Sequence, residues 1–228
     1  MLDQILREPA QTVTLCVLAH CDDETIVCGG LLARLAEAGG RVFVQVLCGA
    51  SSERRREFAQ ACGHLGVEYE ALDYVDATLS EAQFPELVGV ASETIRREKP
   101  DLIVTHDPEF DYNPDHRLLG RCVAHGAQKA GMHREGHRSG LIVSGEVHVP
   151  IPYPDYLVDV TAQMGKVMAA MQCHVSQLTE PHKRDFYNRL IETRGRWRGT
   201  QAGCESALAF RRLPLPVIGN LYGRPQAI

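Results

Sequence analysis

Residues 19–24 read Ala-His-Cys-Asp-Asp-Glu and set one imidazole and three carboxylates directly behind an apolar run, residues 13–18. Capping of a helix and a favourable helix dipole would explain one of those carboxylates. Three in succession repel one another unless a cation or a set of donors neutralises them. A second group of such side chains lies far along the chain, in Thr105-His106-Asp107-Pro108 and in the loop that reaches Asn113-Pro114-Asp115-His116. Two imidazoles from remote segments and one carboxylate, with a position left open, form the donor set of a catalytic zinc site, where the ion lowers the pKa of water to about 7.

Those segments can meet only if the fold brings two strand ends together. Residues 13–18 are short and apolar, as in a strand covered on both faces. Residues 25–38 then carry Ile26, Leu31, Leu32, Leu35 and Ala36 at near-helical spacing before Gly39-Gly40. The alternation recurs as strand 42–47, helix 53–65 closed by Gly66, a weaker strand 68–72, helix 87–97 and strand 102–105. After the 107–115 loop, 117–130 reads as a helix, 131–140 as an exposed connection, 141–149 as a strand and 156–160 as a late strand. Residues 162–177 and 183–194 read as helices, and 206–211 as a further short one. Strands alternating with helices imply an α/β, Rossmann-like three-layer sandwich with a mostly parallel sheet. A single domain over residues 1–228 is expected. Functional groups in open sheets of this kind gather at the carboxyl ends of strands, which is where His20 and His106 fall.

Composition narrows the partners. With 24 Lys and Arg against 29 Asp and Glu, the net charge is −5 and no basic stripe with interleaved aromatics occurs, so a nucleic-acid partner has no support. The runs Arg54-Arg55-Arg56 and 194–198 read as solvated helix faces. No apolar stretch reaches the length of a membrane span, and residues 1–9 do not read as a signal peptide. Eight scattered cysteines without a C-x-x-C pair favour free thiols in a reducing cytoplasm.

With these residues in place, the chain resembles the zinc-dependent N-acetylglucosaminyl deacetylases of the LmbE-like or PIG-L type. Their A-H-P-D-D-E signature corresponds to residues 19–24, and their H-x-D-H signature to 113–116. Looser similarity runs through Arg54-x-x-Glu57, Leu65-Gly66-Val67 and Ser176-Gln177. The resemblance implies His20, Asp23 and His116 as ligands of Zn²⁺, Asp22 as the general base that takes a proton from the attacking water, and Arg54 as a contact to substrate oxygens. Asp115 is expected on the substrate side of the site or behind it, orienting His116 or His20.

Two positions depart from the family. Cys21 replaces the usual proline and is expected to pack. Asn113 replaces the first histidine of H-x-D-H; an amide can donate to an oxyanion but cannot act as an acid. His106 is a candidate to supply the missing imidazole, with a purely structural role equally open. Glu146 and His148 could line the crevice or satisfy a strand edge, while His125, His133, His137, His174 and His182 are not in ligand spacing and read as solvent-facing or structural.

The leading expectation is a metal-dependent hydrolase that removes an N-acyl group, foremost acetyl, from a small-molecule amino sugar or glycoconjugate. The alternatives are an amidase acting on a thiol conjugate and a sugar- or nucleotide-binding protein with an inactive crevice. Homo-oligomerisation is left open. A nicotinamide site is disfavoured, because Gly29-Gly30 is no G-x-G-x-x-G and the acids fall where a pyrophosphate needs donors. The glycine pair reads instead as permitting close approach of helix and sheet.

Overall fold

The computed structural model describes residues 2–132, 136–179 and 181–214. The elements that carry the site are strand β1 (Val13–His20), helix α2 (Asp23–Glu37) after a short N-terminal α1 (Leu2–Arg7), β2 (Arg41–Cys48), α3 (Ser52–Leu65) and β3 (Glu68–Ala71). They continue with α4 (Phe84–Glu98), β4 (Leu102–His106), α5 (Pro114–Met132) and β5 (Leu141–Gly145). The last are β6 (Tyr156–Asp159), α6 (Met164–Cys173), α7 (Pro181–Ala202) and β7 (Ala207–Arg212).

The strands form one seven-stranded sheet in the order β3-β2-β1-β4-β5-β7-β6. The first five run parallel, and β7 pairs antiparallel with both β5 and β6. Apolar runs such as that of β1 are needed on both faces. Leu15, Val17 and Ala19 join one core with Leu87, Ile95, Leu118 and Cys122 from α4 and α5. Cys16 and Leu18 join the other with Ile26, Leu31 and Phe58 from α2 and α3. The expected α/β three-layer sandwich is therefore the fold.

From β1 the chain builds outward through β2 and β3, then returns to lay β4 on the other side of β1. This reversal leaves a crevice at the carboxyl ends of β1 and β4, the usual ligand position in an open sheet. His20 is the last residue of β1 and His106 the last of β4.

Close packing holds the two strand ends and their helices in place. A Cβ built on Gly30 would stand 2.7 Å from Cβ of Val160, as the close-approach reading of the glycine pair requires, whereas Gly29 meets only ordinary contacts. A Cβ on Gly120 would collide with the carbonyl oxygen of His106, so glycine is what lets α5 lie against the end of β4.

Four expectations need correction. Residues 206–211 are not helical: Ala207–Arg212 is a strand, because pairing with β5 and β6 outweighs the helical preference of so short an Ala- and Leu-containing stretch. The strand expected over 141–149 stops at Gly145, where Glu146 turns inward and accepts from the N–H of Ile151 at 2.7 Å. The helix expected over 162–177 is confined to Met164–Cys173 between single 3-10 turns, so Ser176 and Gln177 lie in a turn. Arg194 and Arg198 are buried, 7% and 1% exposed, and are no solvated face. His133 and part of the 131–140 connection lie outside the described residues.

Gly120→Ala is expected to lower stability by about 2 kcal/mol or more, since the new methyl group meets backbone that cannot give way. Thermal or urea unfolding checks this, with Gly63→Ala, whose Cβ would meet nothing within 4 Å, as the tolerated control.

Candidate active site

Four segments converge on the crevice. β1 delivers His20, the first turn of α2 delivers Asp23, the first turn of α5 delivers His116, and the β4 loop delivers Asp111. Nδ1 of His20 lies 3.0 Å from Nε2 of His116 and 3.2 Å from Oδ2 of Asp23, and the third side of that triangle measures 3.5 Å. Ligand atoms about 2.0–2.1 Å from a tetrahedral ion stand about 3.3 Å apart, so these three atoms have the spacing of one face of such a shell. His20, Asp23 and His116 are all buried.

The outward nitrogen of each imidazole meets carboxylates. Nε2 of His20 is 3.3 Å from Oδ2 of Asp115 and 3.1 Å from Oδ1 of Asp76, and Nδ1 of His116 is 2.8 Å from Oδ2 of Asp111. An N–H donated to a carboxylate fixes the ring's tautomer and leaves the other nitrogen's lone pair toward the shared centre. Two overlapping groups, His106 with Asp111 and His116, and His20 with Cys48 and Asp115, also lie close enough to hold an ion. Each would draw on a fully buried ring or a buried thiol and would compete with the carboxylate contacts just described.

The electrostatics point the same way. Burial disfavours charge on His20, but its contacts with Asp115, Asp23 and Asp76 outweigh that and raise its pKa. Burial likewise opposes charge on His116, and Asp23 and Asp111 overcome it. Burial alone would raise Asp23, yet the surrounding imidazoles hold its carboxyl well below the usual range. A pocket that draws protons onto two imidazoles is short of positive charge, and a divalent cation would meet the deficit while displacing those protons. The residues present therefore fit a divalent metal.

Asp22 stands beside this centre. Burial pushes its carboxyl up to about 6, against the pull of Arg54. It makes no side-chain cap to α2 and has φ 153° and ψ −22°, a backbone state that crowds any Cβ. Such an outlier is of the kind that active sites retain. Arg54 reaches Asp22 at 3.2 Å and donates to Asp76 at 2.5 Å and to the carbonyl of Cys21 at 2.9 Å. Its side chain is thus placed behind Asp22, with these donors spent on protein acceptors.

A cavity of about 140 Å³ opens over these groups, lined by His20, Asp22, Asp23, Asp76, Asn113 and His116, and closed by Ile26, Val147, His148 and Tyr187. Asn113 caps α5, its Oδ1 accepting from the N–H of Asp115 at 2.9 Å. His106 is fully buried beneath the cavity, stacked on His116 with ring centroids 3.9 Å apart, and its Nε2 accepts from the N–H of Ala19 at 3.0 Å. Burial, then the charge of His116, press its pKa down to about 4. Cys21 is buried with its thiol pushed up to about 12 by burial, consistent with packing.

Asp111 and Asp76, which sequence reading missed, hold the site together, as do pairs among residues it named. Asp111 and Asp76 sit in loops without pattern, and only their acidic type could have flagged them. Glu57 accepts from the N–H and hydroxyl of Ser176 at 2.7 and 2.6 Å, tying α3 to the turn after α6. Glu24 meets Nε2 of His174 at 2.8 Å, a fully buried pair that joins α2 to the end of α6. His137, by contrast, donates to the carbonyl of Pro100 away from the crevice.

Fold and site together define an α/β sandwich with a buried two-histidine, one-aspartate cluster suited to a divalent metal at the sheet's reversal point. Residues 15–127 match the family model described as PIG-L, GlcNAc-PI de-N-acetylase. The chain is 28% identical to diacetylchitobiose deacetylase of Thermococcus kodakarensis, over 93% of this chain and 88% of the relative. It is 29% identical to 4-oxalmesaconate hydratase of Pseudomonas putida, over 86% and 85%. The solved N,N'-diacetylchitobiose deacetylase from Pyrococcus horikoshii shares the fold at a TM-score of 0.79 and 22% identity, covering 93% of this chain and 91% of that one.

Asp111→Asn is expected to weaken divalent-metal affinity 10- to 100-fold, roughly, because the His116 ring loses the carboxylate that orients it; calorimetric titration of the metal-free protein reads this directly. Asp22→Gly is expected to unfold at a higher temperature than Asp22→Ala. Both lose the same carboxylate and only glycine relieves the backbone, a difference of about 1–3 kcal/mol.

Proposed function

We propose that this protein is a zinc-dependent hydrolase that removes an N-acetyl group from an amino sugar or sugar-containing conjugate. The observation that carries the reading is the ligand triangle of His20, Asp23 and His116 with the carboxyl of Asp22 beside it in one cavity. Nitrogen and oxygen donors in that number suit Zn²⁺ with an open position. When bound, such an ion supplies Lewis acidity, acidifying water and polarising an amide carbonyl.

The protein's own groups then divide the work. Asp22 accepts the proton of the attacking water and returns it to the departing amine, both transfers falling to a carboxyl that shares the cavity with the ligand triangle. Arg54 keeps that carboxylate directed at the cavity. Asp115, Asp76 and Asp111 hold the two imidazoles. His106 supports the ring of His116 from beneath. Similarity to a deacetylase of an acetylated disaccharide supports an acetylated amino sugar as substrate.

Hydration of a carbon–carbon double bond would use the same delivery of water, and one relative is named for such a reaction. Charge separates the two chemistries here. The cavity lining carries three aspartates and neither lysine nor arginine, which suits a neutral sugar amide better than a substrate bearing several carboxylates. Among the described residues no helix is long and apolar enough to cross a membrane, and the eight cysteines are free. Free thiols support a reducing cytoplasm as the working compartment.

Zinc-loaded protein is expected to release acetate from N-acetylglucosamine or N,N'-diacetylchitobiose, and Asp22→Asn to lower kcat by about 10²–10⁴ while retaining the metal. An acetate-release assay beside metal analysis reads both. A zinc-loaded protein that releases no acetate from acetylated amino sugars or their conjugates overturns the reading.

A further inference from the structure

We propose that His148, on the loop after β5, is the hydrogen-bond donor to the oxyanion that forms when the amide is attacked. The inference rests on the deacetylase reading and names the group that takes over from the histidine replaced by Asn113. Attack on an amide carbonyl moves negative charge onto its oxygen, and fixed donors aimed at that point lower the barrier. The side-chain oxygen of Asn113 is committed to capping α5, and its NH2 group lines the same cavity as a neutral amide donor beside His148.

Three imidazoles line the cavity: His20, His116 and His148. The first two have both nitrogens engaged, by each other and by carboxylates. His106 is sealed beneath His116. His148 differs from all three. Its Nδ1 is buried with no hydrogen-bond partner, Oδ1 of Asp111 standing at 3.6 Å, too far to accept well, so nothing fixes the proton on Nδ1 and Nε2 is the nitrogen free to carry it as a donor. The side chain is 15% exposed, and its ring stacks on Tyr112 at 4.5 Å and lies 10° from parallel to His116. A neutral imidazole with an N–H turned to the cavity suffices for this role, so no change of charge is required.

The loop that carries it is held from behind with unusual thoroughness. Arg194 on α7 donates at 2.7 Å to the carbonyls of both Glu146 and Val147, and also to the carbonyl of Ile26 on α2. Arg198 pairs with the carboxylate of Glu146 and donates to the carbonyl of Ile151 at 2.7 Å. Buried guanidinium groups are costly unless every donor is matched, and here the matched groups are the backbone on either side of His148. That rigidity is what an oxyanion donor needs, because a donor already in place spends nothing on reorganisation when charge appears.

The experiment compares zinc-loaded wild type with His148→Ala and His148→Gln, the second keeping a side-chain donor. Acetate release is measured beside calorimetric binding of glucosamine and of its N-methylphosphonamidate, a tetrahedral mimic of the attacked amide. For His148→Ala, kcat is expected to fall by about 10²–10³ with KM little changed. The tetrahedral mimic should weaken in parallel, while affinity for glucosamine and zinc stays at the wild-type level. His148→Gln should recover at least part of both losses. Undiminished kcat and mimic affinity in His148→Ala would overturn the proposal while leaving the deacetylase reading intact. So would equal losses for mimic, glucosamine and zinc, which mark a distorted pocket. No acetate from the wild type removes the deacetylase reading and this inference together.

Discussion

Negative charge buried at the ends of two adjacent strands is the constraint on which the rest of this structure turns. Asp22, Asp23, Asp111 and Asp115 are between 2% and 6% exposed, around imidazoles that are themselves buried. Carboxylates at that density persist only with compensating positive charge. The helix N-termini of α2 and α5 contribute partial charges, and Arg54 contributes a full one on one flank. The remainder falls to protons or to a cation at the centre of the ligand triangle, so cluster and metal are parts of one electrostatic arrangement.

Around that centre the protein is organised to resist movement. Each imidazole is tied to an acid, each acid to a helix start or a loop turn, and the helix bearing His116 is pressed against its strand where only glycine fits. Asp22 is the exception, held in a strained backbone state beside the ligands. Strain of this kind survives where neighbouring structure over-determines the position, and here the end of β1 and the start of α2 leave only Cys21 and Asp22 to make the turn.

Much of this was legible in the sequence, for physical reasons. Apolar runs followed by periodic helices encode a parallel sheet almost regardless of detail, and adjacent acids behind a buried strand have few uses other than binding a cation. What could not be read is set by long-range contact. Whether 206–211 is helix or strand depends on two partners elsewhere in the sheet, and a six-residue stretch holds too little local preference to decide it. Arg194 and Arg198 sit in a polar segment that reads as surface, and only the folded chain reveals the carbonyls they meet. His148 was readable as a residue that could line the crevice, and it does; the loop that holds it, fixed by Glu146 and the two arginines, was not.

The cavity's walls come from different parts of the polypeptide. Residues 15–127, which match the family model, contain His20, Asp22, Asp23, Asn113 and His116, while Val147, His148 and Tyr187 lie beyond it. Reactive centre and far wall are joined through the pairing of β4 with β5 and through α7, whose Arg194 reaches a carbonyl on each side. Changes at Val147 or Tyr187 would therefore reshape which molecules the cavity admits while leaving the ligand triangle and Asp22 in place.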